Sequence, residues 1–342
     1  MTRRTSSLLA AALLLVALLA VALAIPVPYV ALLPGPTTDT LGASAGSSGP
    51  PLIAVDGRRT YPTGGKLLLT TVNEQPQLTL VTAVKQWLSS SAAVVPREVE
   101  QPAGVSDKEL QATYDQQMRD SQNAAEAAAL HYLHIPVTVV VDDVPFGPSS
   151  GKLRRGDEIL ALAGKPVTDL AVLFDIRSQI KPGATVPVRI KRGAAAPTVV
   201  ELRTGTVDKQ PKTALLGLEL GEKKPFTLTI GLKGVGGPSA GLMFTLGIID
   251  KLTPGPLTGG KVVAGTGTID PTGVVGPIGG IQQKLAGARR DGATLFLVPA
   301  DNCAEASRAV PAGLRLAKID RLTTALTAIS DVADGSGTPP GC

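Results

Sequence analysis

The chain of 342 residues has only two histidines, His131 and His134, and only two cysteines, Cys303 and Cys342. The cysteines form no CxxC pair, and no His/Cys cluster has metal-ligand spacing, so no metal site is expected. They agree with an oxidising compartment and leave open two states, a disulfide tying down the C-terminus or two free thiols. Aromatic residues make up 3% of the chain, with a single tryptophan, so the cores must be built from Val, Leu, Ile and Ala. The 33 basic residues exceed the 28 acidic ones to give a formal charge of +5, but they are scattered. That scatter, without interleaved aromatics, excludes a nucleic-acid surface. A phosphate loop is excluded as well. The nearest string, Gly255 to Lys261, is followed by Val262 instead of Ser or Thr and leads into a strand. No cofactor is implied.

What the N-terminus does have is a long apolar run. Arg3 and Arg4 precede an uncharged stretch from Leu8 to Leu33, interrupted near its end by Pro26 and Pro28. A stretch of about 20 apolar residues spans a bilayer. Arginines ahead of it place the N-terminus in the cytoplasm. The expectation is a single-pass plasma-membrane anchor over 1–33, with the rest of the chain, including any catalytic domain, extracytoplasmic. The alternative is a signal peptide cleaved near Ala22-Leu23-Ala24.

Residues 34–51, rich in Gly, Ser, Thr and Pro, read as a flexible tether. Residues 52–133 form a mixed strand and helix segment that packs on the later domains. It contains a helix at Asp107–Leu133 with Ser106 as cap. Residues 134–206 have a β-rich texture, residues 207–334 alternate strands with helices as in an α/β layer, and 335–342 read as a flexible tail. The fold class expected is α+β.

Chemistry concentrates in two segments. Gly237-Pro238-Ser239-Ala240-Gly241 puts one serine at a glycine-rich bend entering an apolar helix expected over Ser239–Lys251. The string has the GxSxG form of a nucleophile elbow. In that arrangement a histidine follows the serine, whereas both histidines here lie far before it, in no catalytic context, and read as surface or packing residues. A serine hydroxyl is a weak nucleophile and needs a base. On a helix expected over Ile278–Asp291, Ile278, Ile281, Leu285 and Ala288 form an apolar arc with Lys284 at its edge, and Gln282, Gln283, Arg289 and Arg290 fall on the other side. A lysine serves as a base only when burial lowers its pKa from about 10.4. By spacing alone, Lys284 also reads as a snorkelling surface lysine and Ser239 as a helix cap.

Two resemblances decide between these readings. Residues 134–206 carry Leu153-Arg154-Arg155-Gly156-Asp157-Glu158-Ile159-Leu160 followed by Gly164-Lys165-Pro166-Val167, a signature that resembles the PDZ domains of bacterial proteases. Such domains capture an extended peptide at a sheet edge beside a helix. Gly237 to Gly241, together with Pro277-Ile278-Gly279-Gly280 through Lys284 to Gly287 and Ala288, resembles the proteolytic domain of Lon-type proteases, which use a Ser–Lys dyad. Thr266-Gly267-Thr268-Ile269 resembles the strand of that family whose threonine lies close to the lysine. One departure is Val235-Gly236-Gly237, where the family usually has Lys-Asp-Gly. Anchor, PDZ-like domain and Lon-type domain together are similar to the membrane-anchored PDZ–Lon-like proteases of Gram-positive bacteria. The resemblance implies an ATP-independent serine endopeptidase of the cell envelope acting on protein substrates. Ser239 would be the nucleophile, Lys284 the base and Thr266 its support. Backbone groups at Gly237, Pro238 and Ala240 would stabilise the oxyanion. It also implies assembly into homo-oligomers. The rival is a non-catalytic binding protein in which the PDZ-like domain works and the dyad is vestigial.

Overall fold

The structure, a computed structural model, describes residues 3–43, 49–145, 147–207, 210–232 and 234–342. In chain order its first main elements are helix α1 (Arg3–Ala24), strands β1 (Tyr29–Asp39), β2 (Ile53–Asp56) and β3 (Lys66–Gln75), helix α2 (Leu80–Trp87), strand β4 (Ala93–Pro96) and helix α3 (Asp107–Tyr132). Next come β5 (Thr138–Asp143), β6 (Asp157–Leu162), α4 (Leu170–Ser178), β7 (Thr185–Arg192), β8 (Thr198–Arg203), β9 (Glu219–Lys223) and β10 (Thr227–Ile230). The last are α5 (Gly241–Leu252), β11 (Val262–Gly265), α6 (Ile281–Arg290), β12 (Leu295–Pro299), β13 (Arg315–Ile319) and α7 (Leu322–Asp334).

The architecture is mixed α/β. One six-stranded sheet has the order β13-β12-β11-β3-β1-β4. Its first four strands are parallel, and β1 and β4 join antiparallel. The central parallel strand β12 is buried along its whole length because helices cover both faces. Successive side chains of a strand point to opposite faces, and β12 shows the result. Leu295 and Leu297 join the core that holds Leu242 and Leu246 of α5, whereas Phe296 and Val298 join the core that holds Ile281 and Leu285 of α6. Helix α5, which follows Ser239, and the lysine-bearing helix α6 therefore sit on opposite faces of one sheet.

Both halves of the chain build this sheet. Residues 34–39, expected in a tether, complete β1 and pair with β3. Helix α3 opens with a capping box in which Ser106 Oγ accepts from the Glu109 N–H while Glu109 accepts from the Ser106 N–H. Its alanine-rich second half is buried, and Ala125, Ala128 and Ala129 share the core of α5. A second, antiparallel sheet has the order β8-β7-β6-β5-β9, with α4 packed beside it. The Gly156-Asp157 turn into β6 is locked by Asp157, whose two carboxylate oxygens each accept from Arg192 at 2.7 Å.

The N-terminal expectation needs correction. The apolar run does not continue as one helix. Pro26 cannot donate to a helix and restricts the residue before it. Helix α1 ends at Ala24, and the chain then enters the sheet, where Val30 and Ala31 are buried in β1. The apolar part of α1, residues 8–24, is ~25 Å long at 1.5 Å per residue, short of a ~30 Å hydrocarbon core. Among the described residues no helix is long and apolar enough to cross a membrane. The transmembrane anchor and the single-pass plasma-membrane placement are therefore not supported.

The C-terminal end also departs from the expected flexible tail. Cys303 and Cys342 form a disulfide, Pro339 is buried, and the Lys318 N–H donates to Pro340 O at 2.8 Å. The tail is stitched along the edge strand β13.

Candidate active site

Ser239 lies in a turn that precedes α5. The helix begins at Gly241 with Ala240 as its N-terminal cap residue, so Ser239 is outside the first turn expected to contain it. The turn is fixed from two sides. The Gly237 N–H donates to Tyr114 O at 3.0 Å, and Ser121 Oγ donates to Pro238 O at 3.0 Å, both from α3. From the strand side, the Gly267 N–H and Thr266 Oγ1 donate to Ser239 O at 3.0 and 3.1 Å.

Gly236 explains the departure from the Lys-Asp-Gly pattern. A Cβ there would stand 2.6 Å from Tyr114 Cβ, so the tyrosine takes the space an aspartate would need.

Lys284 reaches the same place from the other face of the sheet. Helix α6 starts at Ile281 behind Gly280, whose φ of 66° suits glycine and whose missing Cβ leaves room for Val72. Ile278 therefore precedes the helix. The Ile278 N–H donates to Asn302 Oδ1, and Asn302 Nδ2 donates back to Ile278 O, each at 2.9 Å. Gln283, expected on the polar side, is buried. Lys284 is only 4% exposed, and Nζ donates to Thr266 Oγ1 at 3.1 Å. Burial lowers its pKa to about 7, as desolvation disfavours the charged ammonium. Thr266, itself buried, thus joins the two segments, accepting from Lys284 Nζ and donating to Ser239 O. Among the described residues no hydrogen bond links Lys284 to Ser239 Oγ.

Both residues line one cleft of about 540 Å³, together with Gly236, Gly237, Pro238, Gly279 and Gly280. Glu74 and Tyr114 line the same cleft. Burial, then the neighbouring Glu100, pushes the Glu74 carboxyl up, and burial with both glutamates raises the Tyr114 hydroxyl. The expected oxyanion donors are redistributed. Pro238 has no N–H, and the Gly237 N–H is already engaged. The Ala240 N–H, with that of Ser239, has no partner among the described residues. Neither histidine lines the cleft. His131 Nδ1 instead lies 3.2 Å from Asp169 Oδ2. No group of residues with metal-ligand geometry occurs among the described residues.

Comparison with known proteins gives one family match in this region. Residues 231–332 match the Lon protease (S16) C-terminal proteolytic domain. The match is to a serine-type peptidase domain. The Lon protease of Frankia alni is 38% identical over 112 residues, 31% of this chain and 12% of that protein. That of Dictyoglomus thermophilum is 29% identical over 175 residues, 48% of this chain and 22% of that protein. The chain thus spans under a quarter of the length of these two relatives. The crystal structure of the PDZ domain of an SdrC-like protein from Listeria monocytogenes is 26% identical with a TM-score of 0.21, covering 25% of this chain and 86% of that one.

Tyr114 and Ser121 had no signal in the sequence. They lie on α3, more than a hundred positions from the turn they hold, and no motif surrounds them.

Proposed function

We propose that the protein is an ATP-independent serine endopeptidase that cleaves protein substrates with Ser239 as nucleophile and Lys284 as base. The observation that carries this reading is a lysine buried to a pKa of about 7 in the same cleft as Ser239. Near neutral pH about half of such lysines are neutral, against roughly one in a few thousand for an exposed lysine. Neutral Lys284 takes the proton from Ser239 Oγ as the oxygen attacks the peptide carbonyl. The Ser239 and Ala240 amides, unpaired at the entry to α5, offer donors for the oxyanion. The C–N bond then breaks as the lysine passes its proton to the leaving amine. Water, deprotonated by the same lysine, hydrolyses the ester. Thr266 orients Lys284 throughout. Acyl transfer to water consumes no nucleotide, and Gly255–Lys261 leads into strand β11.

In the same reading strands β5 to β8 with α4 form a PDZ-like unit that selects substrate or restrains the peptidase. Further copies of the chain join it as a homo-oligomer, a point that light scattering tests. For the chemistry, casein hydrolysis is measured for Ser239→Ala and Lys284→Ala, with folding followed by circular dichroism. Both should be inactive and folded. Full proteolysis by Ser239→Ala would sink the assignment.

A further inference from the structure

Strand β9 closes one edge of the antiparallel sheet. It comes after the last strand of the PDZ-like unit, β8, yet turns back to pair antiparallel with β5 at the edge of that sheet, Leu220 opposite Val141 and Lys223 opposite Thr138. It also lies beside α4. Glu222 Oε1 accepts from the Leu170 N–H, the first residue of that helix, at 2.7 Å. Leu218 and Leu220 pack on the core that contains Leu170 and Leu173. An extended segment added to a sheet edge alongside a helix is how β-strand addition captures a peptide. Here the segment is the chain's own.

We propose that β9 is an internal ligand of the groove between β5 and α4, which an extended peptide must displace in order to bind. The peptide it fits has apolar side chains at alternate positions, as at Leu218 and Leu220, and an acidic residue two positions later, as at Glu222, to meet the α4 amide. This inference rests on the PDZ-like role assigned above and names its regulation.

Two features make β9 displaceable. The pairing is five residues long with a register shift between Glu219 and Leu220. Its anchor is costly as well, since Glu222 Oε2 is buried with no partner among the described residues, and burial pushes that carboxyl up to about 7. Displacement is also felt at the catalytic cleft. Only Lys224–Phe226 separate β9 from β10, which pairs with β2 and is the last strand before Ser239. Lys224 pairs with Glu126 of α3, the helix whose Tyr114 and Ser121 hold the serine turn. With β9 docked, Lys284 bonds Thr266 and not Ser239 Oγ. Release of β9 frees this connection and raises turnover.

The test uses the full chain and a fluorescein-labelled synthetic peptide copying residues 216–223. Leu220→Asp loosens β9. A Thr138→Cys/Lys223→Cys cross-link, placed on directly paired residues and verified alongside the native disulfide by peptide mapping, locks it. Leu220→Asp should bind the peptide about tenfold or more tightly than the wild type, because the competitor's share of the groove is removed. The locked protein should not bind it. In the wild type, saturating peptide should speed exchange of the β9 amides and increase fluorophosphonate labelling of Ser239 severalfold, with no increase in the locked form. Equal binding by locked and wild-type proteins overturns the proposal, as does absence of binding to Leu220→Asp and wild type alike. Binding without a change in Ser239 labelling overturns the coupling to the cleft. If no form is labelled, the peptidase assignment fails, while the binding comparison still decides whether β9 is the internal ligand.

Discussion

Replacing Lys284 by methionine should make the protein more stable while abolishing activity. In the unfolded chain this lysine keeps its proton up to about pH 10.4. In the fold it does so only up to about 7, because burial penalises the ammonium. Between those values the unfolded state binds more protons, so stability rises with pH across that window, and below pH 7 the full cost of burying the group stands. A shift of this size at 1.36 kcal/mol per unit amounts to an upper limit of about 5 kcal/mol. The residue is almost wholly buried, so little of this is screened by solvent. Methionine has a similar length, carries no charge and adapts to the space. Urea unfolding of wild type and Lys284→Met, followed by circular dichroism from pH 6 to 10, gives the difference directly. The variant should be about 2–4 kcal/mol more stable at pH 7, with the gap closing as pH approaches 10. A variant no more stable than wild type at pH 7, or a gap that does not change with pH, would refute the buried-lysine reasoning and with it the base assigned to Ser239.

Casein hydrolysis by the wild type should rise with pH through about 7, the value at which burial sets Lys284; a profile flat from pH 6 to 9 would contradict this. Thr266→Val removes both the contact to Lys284 and the one to Ser239 O. It should lower kcat roughly a hundredfold with little change in KM, and Thr266→Ser should restore most of it. Asn302→Ala breaks the paired bonds to Ile278. It should reduce activity and loosen exchange of the amides at 278–280 without unfolding the sheet. Replacing Cys303 and Cys342 by serine opens a loop of 39 residues and should cost about 2–4 kcal/mol in urea unfolding, with activity at low temperature retained.

Much of the chemistry was legible in the chain because it is locally encoded. A glycine-rich bend before an apolar helix, an apolar arc with one lysine at its edge, and a near absence of histidine are all properties of short segments. The Ser106 cap of α3 was readable for the same reason, since a capping box spans four residues. Other features were illegible because they depend on distant contacts. The apolar run at the N-terminus reads as one span, but Pro26 ends the helix, and residues from Tyr29 onward find partners in a sheet whose other strands lie up to nearly three hundred positions away. Residues 34–39 read as a tether because Gly and Pro signal turns, yet β1 accommodates them through a shift in its pairing with β3.

Local pattern along the chain set out the candidate residues and their order: one serine at a bend, one lysine on a helix with an apolar arc, and one threonine between them just past the end of β11. Period and local backbone geometry follow from neighbours a few residues apart, so they survive the absence of a fold. Whether Lys284 is buried or snorkels was settled by packing, because its pKa depends on how much protein surrounds Nζ. Packing likewise set Tyr114 in the space beside Gly236, left the amides of Ser239 and Ala240 unpaired, and paired β9 with the edge strand β5. Each of these is a matter of which surface removes water from which group, and that is fixed when distant segments pack together.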